Sequence, residues 1–122
     1  MKNLFDSELK VMELIWENEP VSAKEISLMA GERIGWNKNT TYTVIKRLSD
    51  RGVVKNENAV VTSLVSRQEA QASEIDELVE KKFSGSLPAF VAAFASRKDI
   101  SEAELDAVQA MIDRHRKEHK NG

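Results

Sequence analysis

The chain has 122 residues, with 18 Lys and Arg against 20 Asp and Glu and a formal net charge of -2. It has no cysteine, which excludes disulfides, thiolate nucleophiles, Cys-based zinc sites and thiol redox sensing together. The longest apolar run, Leu87 to Ala95, is interrupted by Pro88 and is far shorter than the ~20 residues that span a bilayer. The N-terminal residues Met1-Lys2-Asn3-Leu4-Phe5-Asp6 carry no apolar signal stretch. These features lead us to expect an ordinary globular, cytoplasmic protein without a membrane partner.

The first element is a helix from Asp6 to Glu17. Leu9, Met12, Ile15 and Trp16 fall on one broad face, and Lys10, Glu13 and Glu17 form a polar stripe. Asp6 or Ser7 is the expected N-cap, and Asn18-Glu19-Pro20 ends the helix because the residue before proline avoids the helical region. Val21 pairs briefly as a strand. Ser22-Ala23-Lys24-Glu25 fits a capping box, and the helix it opens turns Ile26, Met29 and Ala30 inward. It ends between Gly31 and Ile34.

Asn37 is the expected N-cap of a third helix, Lys38 to Arg51, with Gly52 supplying the left-handed residue after it. At about 100° per residue, Thr41, Val44, Ile45 and Leu48 share one face, and Asn39, Tyr42, Thr43 and Lys46 the opposite one. Two β-branched runs follow, Val53-Val54-Lys55 and Val60 to Val65, around a loop Asn56-Glu57-Asn58-Ala59. They read as a hairpin. Three helices and a hairpin are the order of a winged helix-turn-helix.

The second half is helical. Ser66-Arg67-Gln68-Glu69 is another capping box, followed by a stripe of Ile75, Leu78, Val79 and Phe83. Ser84-Gly85-Ser86 breaks the chain, and Ser86 caps a short helix with Pro88 in its first turn, where proline is tolerated. That helix presents Leu87, Phe90, Val91 and Phe94. Arg97-Lys98-Asp99 reads as a loop. Ser101 to Glu104 caps a last helix with Leu105, Val108, Met111 and Ile112 on one face, and His115 to Gly122 reads as a polar tail. Helices this short do not bury all these positions alone, and oligomerisation is a common remedy. The expected architecture is mainly α with a small β-hairpin. A winged helix-turn-helix spans 1–66 and a helical dimerisation domain 67–122, the latter using Leu78, Phe83, Leu87, Phe90, Val91, Phe94, Leu105, Val108 and Ile112.

The charge is unevenly placed. From Arg33 to Lys55 there are six basic residues (Arg33, Lys38, Lys46, Arg47, Arg51, Lys55) against one acid, Asp50, inside an acidic chain. A local basic stripe matters more for phosphate binding than whole-chain charge. The polar face of the third helix therefore points to double-stranded DNA, with Lys38, Lys46 and Arg47 as phosphate contacts. Asn39 is a natural adenine reader. Catalysis finds no support: there is no Gly-rich phosphate loop or nucleophile-base pattern, and Glu102 and Glu104 complement a helix dipole. The protein is not expected to be an enzyme or to carry a cofactor. His115 and His119 share a helix face, but two histidines near a terminus read as solvated, and no metal is assigned. Trp16 and Trp36 read as core residues rather than stacking surfaces.

These residues resemble the penicillinase-repressor family, the BlaI/MecI/CopY group of winged-helix repressors. The likeness runs from Leu4 to the last helix. It rests on Glu8-Leu9-Lys10-Val11-Met12-Glu13-Leu14-Ile15-Trp16, on Val21-Ser22-Ala23-Lys24-Glu25-Ile26, and above all on Trp36 to Leu48 followed by Arg51-Gly52. The resemblance implies a homodimeric repressor of a dyad-symmetric operator, with winged domains on DNA and C-terminal helices dimerising. It implies that Thr40 and Thr43 face the major groove; Tyr42, on the same helix face as Thr43, either joins the DNA contact or packs against the helix's own neighbours. Asn39 stands where the family often has a basic residue. The wing has only Lys55 as a basic residue, with Glu57 at its tip. The Cys-x-Cys pairs of copper-responsive members are absent. β-Lactam-responsive members are cut by a signal-activated protease at an Asn-Phe bond. The matching bond here is Ala93-Phe94, where Phe94 fits and Ala93 departs from the pattern. Two other readings stay open: a regulator that senses a small molecule in the Phe-rich half, and a winged-helix protein-interaction module without DNA binding.

Overall fold

The computed structural model describes residues 3–97 and 99–119. Lys98 of the Arg97–Asp99 loop and the last three residues of the expected tail lie outside the described residues. The chain forms α1 (Asp6–Asn18), β1 (Val21–Ser22), α2 (Ala23–Arg33), α3 (Lys38–Asp50), β2 (Val54–Glu57), β3 (Val60–Ser63), α4 (Arg67–Lys82), α5 (Leu87–Ala95) and α6 (Glu102–His119). It divides into two compact units, 1–77 and 78–122.

In the first unit the apolar faces of α1, α2 and α3 close over the sheet. Val11, Met12, Ile15, Ile26, Leu48 and Val61 are sealed from water, and Trp16 and Trp36 pack half-buried against this core. Met29 is also only half-buried. The N-cap of α1 is Phe5, not Asp6 or Ser7. The carboxylate of Glu8 accepts the Phe5 N–H at 2.8 Å, so Asp6 is already the first helical residue and the cap falls one position earlier. Ser22 caps α2 as its spacing predicts, its Oγ accepting the Glu25 N–H at 3.0 Å.

The sheet is antiparallel in the order β1-β3-β2, with Val21 opposite Val61 and Val54 opposite Ser63. The hairpin loop is shorter than expected. Asn56 and Glu57 pair with Val61 and Val60, which leaves a two-residue turn at Asn58 and Ala59, both with positive φ (54° and 63°). Such a turn matches the right-handed twist of the strands it joins. Glu19 ties the end of α1 to the sheet, its carboxylate accepting from the Ser63 N–H at 2.9 Å and from the Ser63 hydroxyl.

The division between units falls inside α4, later than the 66/67 boundary read from pattern. The reason is contact across the chain. Ala70 is buried in the first unit's core. The Trp16 indole donates to the Val65 carbonyl at 2.9 Å, and Arg67 pairs with Glu13 at 2.7 Å. The first eleven residues of the helix, 67–77, thus pack with the winged unit.

In the second unit, Ser84 and Gly85 take positive φ after α4. Ser86 caps α5 through the Ala89 N–H at 3.1 Å, and Ser101 and Glu104 form a reciprocal box at the start of α6. The segment from His115, read as a polar tail, is helical through its described residues. α6 continues to His119, with the His115 and His119 rings stacked 4.1 Å apart. No residue of α5 or α6 is buried.

Candidate nucleic-acid interface

The exposed face of α3 is held from three sides. Beneath it, Thr41, Val44, Ile45 and Leu48 are buried. At its start, Asn37 Oδ1 accepts the Thr40 N–H at 2.8 Å. At its end, Gly52 takes φ 76°, and the Gly52 and Val53 N–H groups return to the carbonyls of Ser49 (3.0 Å) and Leu48 (2.9 Å). That is a Schellman closure, which needs the left-handed residue that glycine supplies without strain. A rigid helix is thereby presented with its polar side outward.

Lys38, Asn39, Thr40, Tyr42, Thr43, Lys46 and Arg47 are all exposed on α3. Asn39, Thr40, Thr43 and Arg47 come together with Asn37 and Val44 around an open depression of about 310 Å³. Lys55 is exposed on β2, apart from this cluster, and its ammonium lies 3.2 Å from the Glu57 carboxylate. The nine residues expected to dimerise lie elsewhere. Phe83 and Phe90 are half-buried and meet edge-to-face at 5.6 Å. Leu78, Leu87, Val91, Phe94, Leu105, Val108 and Ile112 are exposed. Ala93 and Phe94 stand exposed in the last turns of α5.

The hydroxyls differ in what they can offer a base. Thr43 Oγ1 donates to the Asn39 carbonyl at 2.8 Å, so its proton is used within the helix. What remains outward is a methyl group and an acceptor, a combination suited to a thymine methyl or a base amino group. Among the described residues, the Thr40 hydroxyl has no hydrogen-bond partner, and it offers both a donor and an acceptor.

The basic stripe is more self-neutralised than its count suggests. Arg33 pairs with Glu17 at 3.0 Å and Lys46 with Asp50 at 3.5 Å. Both are exposed pairs, which exchange readily for other partners because each contributes little. Arg51 differs in kind. It turns inward onto the fully buried Glu8 and donates to the Asn3 carbonyl at 3.0 Å. Among the described residues, Lys38 and Arg47 make no ion pair, so they are the cations of α3 most available to a phosphate. The Glu8–Arg51 pair escaped the sequence reading. Its signal is a carboxylate on the apolar stripe of α1, in register with Met12 and Ile15.

Three helices, a three-stranded sheet and an exposed polar third helix define a winged helix-turn-helix DNA-binding regulator. The penicillinase repressor family model matches residues 4–114, and the chain belongs to that family of transcriptional repressors. The penicillinase repressor of Bacillus licheniformis is 22% identical over 119 residues, covering 94% of this chain and 93% of its own. The methicillin resistance regulatory protein MecI of Staphylococcus aureus is 24% identical over 112 residues, covering 88% of this chain and 91% of its own. Among solved structures, Staphylococcus aureus MarR in complex with salicylate and kanamycin aligns with 98% of this chain and 76% of its own, at 17% identity and a TM-score of 0.46. Among the described residues, no helix is long and apolar enough to cross a membrane.

Proposed function

We propose that the protein is a homodimeric repressor whose α3 enters the major groove of each half of a dyad-symmetric operator. The observation that carries this reading is the outward face of α3. Asn39, Thr40 and Thr43 offer base-edge chemistry there, Arg47 flanks them, and no carboxylate intervenes before Asp50. Asn39 reads adenine, Thr43 touches a thymine methyl, and Thr40 donates or accepts as its neighbour requires. Tyr42 and Lys46 border these readers, and Lys38, Arg47 and Lys55 serve phosphates. A protein interface would favour an apolar, aromatic centre over this set.

Dimerisation uses the C-terminal helices. Leu105, Val108 and Ile112 line α6, and Leu87, Val91 and Phe94 line α5, all open to water in the single chain. Repression is relieved by a protease that cuts Ala93–Phe94. No residue of α5 is buried, so opening that turn for a protease costs little. The cut parts Phe94 and all of α6 from Leu87 and Val91, dividing the apolar set the dimer needs.

The test is fluorescence anisotropy on DNA from upstream of the protein's own gene, against scrambled DNA, over a salt series. The expected result is preferential binding of two chains per site, weakening steeply with salt as released counterions dictate. Equal affinity for both DNAs at every salt concentration refutes operator recognition and leaves a protein-interaction module as the reading.

A further inference from the structure

Asn3 lies outside every helix, yet it joins the recognition helix to the helix that leaves the winged unit. Its backbone carbonyl accepts from Arg51, the C-cap of α3, at 3.0 Å. Its side-chain carbonyl accepts the Ser73 hydroxyl at 2.7 Å, and its amide donates to Glu77. Ser73 and Glu77 are one turn apart on α4, so both reach the same face of that helix. Arg51 is in turn seated by Glu8, which is fully buried and also accepts the Phe5 N–H at 2.8 Å. The tie from α3 to α4 is therefore polar, directional and anchored on a buried charge pair. α4 continues as one helix to Lys82.

We propose that Asn3 is a positioning residue for operator recognition. Through Arg51 on one side and Ser73 and Glu77 on the other, it sets the angle at which α4 leaves the winged unit relative to α3. This rests on the dimeric reading above. In a two-fold dimer the separation of the two recognition helices must match the half-site spacing. One added base pair shifts a half-site by about 3.4 Å and turns it by about 35°. A rigid exit helix penalises that mismatch, and a loosened one tolerates it. Asn3 thus contributes to spacing specificity without touching a base.

The experiment uses the full chain and a duplex carrying two half-sites that the protein selects from random DNA. Companion duplexes carry spacers one base pair longer or shorter, or a single half-site. The wild type is expected to lose about tenfold or more in affinity on either altered spacer. Asn3→Ala removes both links to α4 and keeps the backbone carbonyl for Arg51. It is expected to cut that penalty at least about threefold while leaving single-half-site affinity within about twofold. Ser73→Ala removes one of the two links and should cut the penalty by a smaller factor, and Ser73→Thr, which keeps the hydroxyl, should restore it. An unchanged spacing penalty in both alanine variants overturns the proposal, including the case where affinity drops equally on every duplex. If the wild type binds the paired site no better than the single half-site, the dimeric reading itself fails and takes this proposal with it.

Discussion

In the winged unit Met12, Ile15, Ile26 and Leu48 are sealed from water, whereas in the C-terminal unit α5 and α6 bury no residue. Both regions are built from amphipathic helices with similar apolar spacing. Val44 and Leu48 on α3 lie four residues apart, as Val108 and Ile112 do on α6. The difference is the opposing surface. α3 lies against α1, α2 and β2, which fill its apolar side. Among the described residues, α6 has no such set of neighbours within its own unit. Burial of apolar area contributes roughly 25 cal/mol per Å² only where a second surface excludes the water. The winged unit thus holds a core of its own, and the C-terminal unit holds the makings of one.

The strongest way to break this contrast is Leu48→Ala. A fully buried leucine at the centre of three helices should cost about 2–5 kcal/mol, read as a lowered denaturant midpoint of the winged unit. A loss below about 1 kcal/mol would mean that the core is less self-contained than the burial implies. Next comes Ile112→Asp. In the proposed dimer, a charge at this position should weaken dimerisation by about 2 kcal/mol or more, roughly thirtyfold in Kd. Sedimentation equilibrium reads this, and the midpoint of the winged unit should not move. An unchanged mass distribution would remove α6 from the dimer interface.

Thr43→Ala sharpens the contrast from the DNA side. It should reduce the preference for operator over scrambled DNA by about 1 kcal/mol, and the same loss should follow from replacing the contacted thymine with deoxyuridine. Arg47→Ala should instead weaken both DNAs alike and lower the salt slope by about 1. If Thr43→Ala weakened both DNAs equally, Thr43 would be no base reader. Asn37→Ala probes the start of α3. It removes the acceptor for the Thr40 N–H and should cost about 1 kcal/mol of stability, measured by thermal unfolding.

Much of the candidate site was legible because it depends on short stretches of chain. The N-cap at Asn37, the glycine after α3 and the buried set Thr41, Val44, Ile45 and Leu48 follow from spacing within a few turns. What spacing missed was pairing. Arg51 counts as part of a basic stripe on the page of sequence, yet its partner is Glu8, 43 positions earlier. The unit boundary escaped for the same reason, since Ser73 is held by Asn3, 70 positions away. The capping box at Ser66 marks where α4 starts and says nothing about which unit its first turns join.

By itself the sequence determined the order of helices and hairpin, the caps that begin α2, α3, α5 and α6, and the polar face that α3 turns outward. Each of these is set by steric and hydrogen-bond preferences acting over one to three turns. Only the tertiary structure decided which cations remain available, how far α4 belongs to the winged unit, and which apolar stripes find a partner within the chain. Those outcomes depend on which distant groups meet, and charge and burial act through space rather than along the chain.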